Sequence, residues 1–139
     1  MTAHEEVLIY CDGGARGNPG PAAIGAVVVD ATTSPPTPLA TVSERIGVAT
    51  NNVAEYRAVI AGLEAARPYE PRVVRLRADS MLVIRQLEGA WRVKQDHLKP
   101  LYRRARALLD EFEVVDLAHV PREQNSDADL LVNAALDQP

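Results

Sequence analysis

Four acidic residues, Asp12, Glu55, Asp79 and Asp129, each stand where a predicted strand ends or a predicted helix begins. A carboxylate is costly to bury without a partner, and four of them within a few ångströms cannot all stay ionised without a cation. Because oxygen-only ligand sets favour Mg²⁺ or Mn²⁺ over zinc, these acids predict a divalent-metal site if the fold brings them together. Two such ions about 4 Å apart form the arrangement that hydrolyses phosphodiesters in line.

The first acid opens a glycine-rich loop between two predicted strands. Apolar and β-branched residues predict strands over 7–11 and 22–29, and a weaker strand over 40–47. The segment 30–38 contains Ser-Pro-Pro-Thr-Pro and is predicted to be a surface loop. Short links between three successive strands imply an antiparallel meander. An Asp-Gly pair is also an ordinary turn, so this stretch alone does not define a site.

A helix is predicted over residues 50–66, where apolar residues recur at helical spacing after Asn51 or Asn52 as the N-cap. Glu55 lies close to the edge of the apolar stripe, which is an unusual place for a carboxylate. The alternative is that this acid only complements the helix dipole, a modest effect of about 0.3–1 kcal/mol.

The third acid follows an alternating segment, 72–78, that predicts a fourth strand and leads into a helix over 81–87. Asp79 or Ser80 is the predicted cap of that helix. If the fourth strand lies beside the first and parallel to it, Asp79 comes next to Asp12. Open α/β sheets place their chemistry at this edge, where the strands end.

The remaining elements are a helix from about 96 to 112, a fifth strand over 114–120 and a short last helix capped by Asn125 or Ser126. We find no internal repeat and no linker, and the length of 139 residues suits a single domain over residues 1–139.

Composition restricts the class of protein further. The single cysteine, Cys11, excludes an intramolecular disulfide and a cysteine-rich zinc site, and strand alternation makes it a small core residue. No apolar run is long enough to span a membrane, and the first six residues lack the features of a signal peptide, so we expect a cytoplasmic protein. The net charge is −4, yet residues 67–106 hold 11 of the 15 basic residues and only four acids. This block favours a basic face for phosphates; the alternative is a solvated helix face.

Four sequence blocks, spread over about 7–133, closely resemble type 1 ribonuclease H of the short, archaeal-like branch. They read DGGARGNPGPAAIGAVV, TNNVAEYRAVIAGLEAA, ADSMLVIRQLEG followed by WRVK, and HVPREQNSDADLLVN. The resemblance implies a ribonuclease H-like α/β fold, in which a five-stranded mixed sheet of three antiparallel strands and then two parallel ones is flanked by helices. It also implies hydrolysis of the RNA strand of RNA/DNA hybrids, which leaves 3′-hydroxyl and 5′-phosphate ends.

The same resemblance assigns roles to individual positions. It makes the four acids both the catalytic residues and the ligands of two Mg²⁺ or Mn²⁺ ions. The residues implied to contact the hybrid are Gly13, Gly14, Asn18, Asn51, Asn52, Ser80, Gln86, Trp91, Arg92 and Lys94. Among them, the asparagines and Gln86 are expected at sugar edges in the minor groove, where 2′-hydroxyls distinguish RNA from DNA. Each has a structural alternative: Asn51 and Asn52 as helix caps, Trp91 as a core residue, Gln86 as a solvated side chain.

The chain also departs from better-known members of this family. Only residues 95–99 separate WRVK from the next helix, where those members have a longer basic insertion, so weaker hybrid affinity is a hypothesis.

Many members carry a mobile histidine that assists product release; here His119 aligns inside the fifth strand and Glu123 takes the mobile position. Asp127 is a rival to Asp129 as the fourth ligand, and the N…A-D pattern favours Asp129. His4 and His97 are expected at the surface.

Three other functions are alternatives to hybrid cleavage. A transposase-like or junction-cutting DNA nuclease would share the fold, but the TNN and GNPG blocks argue against it. A non-catalytic hybrid-binding module would not need the intact acid set. A phosphoacceptor receiver domain would need a lysine at a late strand end, and the only lysines are Lys94 and Lys99. We expect a monomer, and some bacterial relatives of this type carry a fused C-terminal phosphatase-like domain.

Overall fold

A mixed sheet forms the centre of the computed structural model, which describes residues 4–139. The strand order is β3-β2-β1-β4-β5. The strands are β1 (Glu6–Ala15), β2 (Gly20–Asp30), β3 (Thr37–Ala49), β4 (Val73–Ala78) and β5 (Val114–His119). The first three pair antiparallel, whereas β4 runs parallel to both β1 and β5. The expected fold class, an α/β mixed sheet of three antiparallel strands and two parallel ones, is confirmed.

Four α-helices are described around this sheet: α1 (Asn51–Ala66), α2 (Met81–Leu87), α3 (Lys99–Leu109) and α4 (Ser126–Leu136). α1 and α4 lie on opposite faces, because neighbouring residues of β2 point to opposite sides of the sheet. Gly25 lies against Ala128 and Leu131 of α4, whereas Ala26 lies against Gly62 of α1. α3 packs against α1 and extends the core on that side.

β1 extends four residues past its predicted end at Cys11, for a topological reason. Its parallel ladder with β4 ends at the pair Cys11–Ala78, but its antiparallel ladder with β2 continues to the pair Ala15–Ala22. Asp12 is therefore not at the end of a strand; it is the first residue of β1 beyond the parallel ladder. Asp12 thus lies one position past the pair Cys11–Ala78, and Ala78 is the last residue of β4.

Several other boundaries differ from the predictions. The N-cap of α1 is Thr50, whose hydroxyl oxygen accepts a hydrogen bond from the Val53 N–H, and not Asn51 or Asn52. A 3₁₀ turn, Asp96–Leu98, precedes α3, which ends at Leu109. β3 begins at Thr37, inside the segment predicted to be a loop.

Two predictions about single side chains can be compared with the structure. Cys11 is buried in the core, as predicted. His4 was expected to be a surface residue, but its ring lies against Tyr69 and its Nδ1 is 2.7 Å from a carboxylate oxygen of Asp30. Within residues 4–139, no helix is both long and apolar enough to cross a membrane. The structure does not describe the first three residues, which belong to the predicted domain 1–139 and to the N-terminal segment without signal-peptide features.

Candidate active site

Three of the four predicted acids meet at the edge where β1 and β4 part. Carboxylate oxygens of Asp12, Glu55 and Asp79 all lie within 4.8 Å of one another. Topology explains this: Asp12 and Asp79 directly follow the paired residues Cys11 and Ala78 on adjacent parallel strands. Both Asp12 and Glu55 are 8% exposed. An oxygen-only cluster of this kind has the chemistry of a Mg²⁺ or Mn²⁺ site.

A close approach of α1 to β1 holds Glu55 in the cluster. The Gly13 N–H donates a hydrogen bond of 2.8 Å to Glu55 Oε1. A Cβ atom at Gly13 would lie 2.2 Å from the backbone carbonyl of Ala54, so any larger residue would push helix and strand apart. Glu55 thus lies on the buried face of α1, not at the edge of its apolar stripe.

Electrostatics favours a cation in the cluster. Burial raises the pKa of Asp12 from 3.8 to about 7, and the charge of Asp79 adds to the effect. Burial also raises the pKa of Glu55 well above its ordinary value, followed by the charge of Asp12. Both groups favour the ionised state when an opposite charge is supplied. A divalent ion would provide that charge.

Asp129 lines the same cavity from the first turn of α4 but lies outside the group of three oxygens. It is close enough to Asp12 for a side-chain hydrogen bond and for charge repulsion, both of which raise the pKa of Asp12. Asp127 is exposed and does not line the cavity. The structure therefore places Asp129, and not Asp127, beside the other three acids.

Asn125 fixes the start of α4 against β1. Its side chain is 1% exposed, and Nδ2 donates 2.9 Å to the carbonyl oxygen of Cys11. The backbone carbonyl oxygen of Asn125 accepts a hydrogen bond from the Asp129 N–H at 3.1 Å. The residue occupies the predicted N-cap position, but its side chain joins the two acid-bearing elements and makes no cap. The N…A-D pattern was the available signal for this role.

The cavity above the acids has a volume of about 570 Å³. Its wall includes two arginine side chains to which the sequence analysis gave no role. Arg16 forms an ion pair with Asp137 at 2.7 Å. The exposed side chain of Arg122 makes no hydrogen bond or ion pair within residues 4–139. Its place in the VPREQN segment, three residues before Asn125, was the only sequence signal.

Half of the ten residues predicted to contact the hybrid line this cavity. Gly13, Gly14, Asn51, Asn52 and Ser80 line it, and Ser80 also accepts the Val83 N–H as the cap of α2.

Asn18 does not line the cavity; its Oδ1 accepts the backbone N–H of Asn51 at 3.1 Å. Asn51 Oδ1 in turn accepts the Ala15 N–H at 2.9 Å. These two asparagines therefore connect the glycine-rich loop to the start of α1.

A second cavity, of about 470 Å³, lies beside α3. Its lining is aromatic and basic: Trp91, Arg92, Lys99, Tyr102 and Arg103, with Gln86, Gly89 and Val93. Trp91 is 46% exposed, which argues against its being a core residue. Lys94 is exposed but is not part of the lining.

The position of Gln86 differs from the expectation. It is 4% exposed, and its Oε1 already accepts the hydroxyl of Tyr56 at 2.5 Å. A side chain buried in this way is poorly placed to reach a sugar edge, and it is not a solvated residue either. Residue type alone does not indicate that this glutamine faces the interior, where its neighbour Leu87 is also buried.

His119 and Glu123, the two residues considered for product release, lie on β5 and on the turn that follows it. His119 ends β5 beside Ala78 and is half-buried, which agrees with its predicted place in the fifth strand. Glu123 is exposed on a 3₁₀ turn, Arg122–Gln124. Neither lines the cavity above the acids.

Comparison with known proteins identifies the family to which the chain belongs. The family described as "Reverse transcriptase-like" matches residues 10–135. Ribonuclease HI of Halobacterium salinarum is 48% identical over 131 residues, covering 94% of this chain and 64% of that protein. The chain spans only 36% of the bifunctional protein Rv2228c of Mycobacterium tuberculosis, with 48% identity.

Solved structures extend the likeness to three dimensions. The N-terminal RNase H domain of Rv2228c, solved as a fusion with maltose-binding protein, has a TM-score of 0.90 at 48% identity, covering 95% of this chain and 99% of that one. LC11-RNase H1, isolated from compost and solved in complex with an RNA/DNA hybrid, has a TM-score of 0.87 at 41% identity, covering 94% and 96%. The chain therefore belongs to the type 1 ribonuclease H family.

Proposed function

We propose that this protein hydrolyses the RNA strand of RNA/DNA hybrids and leaves 3′-hydroxyl and 5′-phosphate ends. The observation that carries the proposal is the meeting of Asp12, Glu55 and Asp79, with oxygens within 4.8 Å, at the base of an open cavity. Relatives named ribonuclease H and a relative solved with a hybrid support the choice of substrate. No side-chain nucleophile is needed for this chemistry.

The donor set fits two Mg²⁺ or Mn²⁺ ions, with Asp12, Glu55, Asp79 and Asp129 as the residues that would hold them. All four offer only carboxylate oxygens. Burial raises the pKa of Asp12 and Glu55, and a cation beside them would favour their ionised form. When bound, such ions supply an activated water and stabilise the leaving oxygen.

The chain's own residues prepare this site. Gly13 orients Glu55 through its N–H, and Asn125 holds the helix of Asp129 against β1. Arg16 and Arg122 place positive charge at the cavity wall, where it attracts the phosphates of a substrate to an otherwise acidic site. Arg122 is the freer of the two, since Arg16 is paired with Asp137.

Discrimination of RNA from DNA is proposed for the asparagines of α1. Asn51 uses its side-chain oxygen for the Ala15 N–H, which leaves its amide NH₂ to donate. Asn52 also lines the cavity. Amide donors and acceptors of this kind suit the 2′-hydroxyls in the wide, shallow minor groove of a hybrid.

The DNA strand is proposed to contact residues 91–94, which we call the basic loop. Trp91, Arg92 and Lys94 are exposed there. Lys99 and Arg103 add positive charge to the adjoining cavity. Phosphate contacts of this type set affinity and its salt dependence. The short connection after the basic loop supports weaker hybrid binding than in insertion-bearing members.

The test is cleavage of an end-labelled RNA/DNA hybrid in Mg²⁺, in Mn²⁺ and in EDTA. Asp79→Asn is the site variant and Asp127→Asn is its matched control, because Asp127 is exposed and outside the cavity. We expect metal-dependent cleavage of the RNA strand only, lost in the first variant and kept in the second. Comparing the two metals also determines the preferred ion.

Other outcomes would favour other functions. Cutting of a DNA-only duplex would indicate a transposase-like or junction nuclease, and tight metal-independent binding without cutting would indicate a binding module. The oligomeric state, proposed to be monomeric, is measured by light scattering. Rv2228c is called bifunctional, and a fused phosphatase-like domain in the full-length protein stays a prediction here.

A further inference from the structure

Tyr56 and Gln86 form a buried hydrogen-bonded pair between α1 and α2. Tyr56 is fully buried, Gln86 is 4% exposed, and the tyrosine hydroxyl donates to Gln86 Oε1 at 2.5 Å. Neither side chain lines the cavity above the acids. From its contacts we infer that this pair is a positioning device for the basic loop, which makes Gln86 an indirect determinant of hybrid affinity and not a groove contact. The inference rests on the proposed function only for its effect on hybrid binding.

The pair reaches the basic loop through one hydrogen bond. Gln86 Nε2 donates to the backbone carbonyl oxygen of Arg92 at 3.4 Å. Within residues 4–139 this is the only hydrogen bond made by residues 92–94. Trp91, by contrast, is held by its own N–H, which donates to the carbonyl oxygen of Arg85. The position of residues 92–94 therefore depends on Gln86 and on the packing of Val93 against the core.

Tyr56 determines which way the Gln86 amide points. A tyrosine phenol carries its proton at neutral pH, so the Tyr56 hydroxyl is the donor in its hydrogen bond to Gln86 Oε1. A donating hydroxyl selects the amide oxygen and leaves the NH₂ group facing the Arg92 carbonyl. Without that hydroxyl the amide has no preferred orientation, and a buried acceptor loses its partner.

The consequence is a preorganised basic surface. The exposed side chains of Trp91, Arg92 and Lys94 stand on a loop with few other restraints. Holding their backbone in place lowers the entropy that hybrid binding would otherwise lose. We therefore expect the loss of the pair to weaken binding without altering the acid cluster.

The first measurement needs no substrate. Trp91 is the only tryptophan of the chain, so acrylamide quenching and anisotropy of its fluorescence report the mobility of the loop. Tyr56→Phe and Gln86→Leu should both raise quenching. Tyr69→Phe is the matched control, because its hydroxyl donates to the Leu39 carbonyl of β3 at 2.7 Å and not to a residue of α2. Unchanged quenching in folded Tyr56→Phe protein would overturn the inference.

The second measurement is hybrid affinity over a range of salt concentrations. Tyr56→Phe should weaken binding about three- to tenfold, as expected for one hydrogen bond, and should flatten the salt dependence towards that of Arg92→Ala. The double variant with Gln86→Leu should bind no more weakly than Gln86→Leu alone. In Tyr56→Phe, whose side chain lines neither cavity, the turnover at saturating hybrid and the metal concentration for half-maximal activity should stay unchanged.

Three results would contradict this role. Weaker binding with Gln86→Leu but not with Tyr56→Phe would indicate that Gln86 contacts the hybrid directly in the minor groove. Additive losses of affinity would show that the two residues act independently. A shifted metal requirement would show that Tyr56 acts through its neighbour Glu55. If the wild-type protein fails to bind hybrid at all, the proposed function fails, while the fluorescence result still tests the pair.

Discussion

Replacing Asp12 with asparagine should stabilise the metal-free protein while abolishing hybrid cleavage. The side chain is 8% exposed, and its carboxylate lies with those of Glu55 and Asp79. Burial raises its pKa from 3.8 to about 7. A difference of roughly three pH units corresponds to about 4 kcal/mol at ~1.4 kcal/mol per unit. Because the asparagine amide is itself costly to bury, we expect a gain of about 2–3 kcal/mol above pH 7.

The sign of the pH dependence follows from linkage. The folded-state pKa of Asp12 is higher than its unfolded value, so between about pH 4 and 7 the folded protein binds the extra proton. The free energy of unfolding of the metal-free wild type therefore decreases as pH rises through this window. The Asp12→Asn protein lacks this contribution, so the difference between the two is small at pH 4 and complete above pH 7.

Urea unfolding in EDTA at pH 4.5 and pH 8 measures this difference. Asp127→Asn is the control, and its effect should stay within the ~1 kcal/mol expected for an exposed acid at a helix start. Adding Mg²⁺ should stabilise the wild type more than Asp12→Asn, because ligand binding to the folded state raises its stability. An Asp12→Asn protein less stable than the wild type at pH 8 in EDTA would refute this reasoning. It would show that the negative charge of the acids does not destabilise the metal-free protein.

Three further predictions concern single residues. Gly13→Ala should cost about 3 kcal/mol or more and most of the activity, since its Cβ would lie 2.2 Å from the Ala54 backbone; denaturant unfolding and the hybrid assay measure both. Arg122→Ala should lower kcat/KM about tenfold, the loss of one phosphate contact, with an unchanged melting temperature because its side chain has no partner within residues 4–139. Asp30→Asn should flatten acid denaturation between about pH 4 and 2: hydrogen bonds from Thr32, then His4, lower the pKa of Asp30 from 3.8 to about 2, so the stability it contributes is lost as pH falls through that window. Equal acid unfolding of both proteins would refute the last.

Local chemistry made most elements predictable from the sequence. Runs of β-branched residues, the prolines after α1 and the cap at Ser80 each act within a few residues, so the strands and helices lie close to their predicted places. Boundaries were less predictable where pairing decides them. β1 continues past Asp12 because β2 still offers backbone partners there, and no local signal in β1 indicates this.

The types and order of the four acids, and the blocks around them, determined the family and the candidate chemistry without any coordinates. Only the tertiary structure decided which groups face one another. Gly13 tolerates no side chain because α1 crosses β1 there, and Asn125 bonds to a carbonyl 114 residues away. Gln86 turns inward to Tyr56, whereas Arg122 lines the cavity above the acids. Such contacts depend on distances between segments far apart in the chain, and residue type and spacing do not contain those distances.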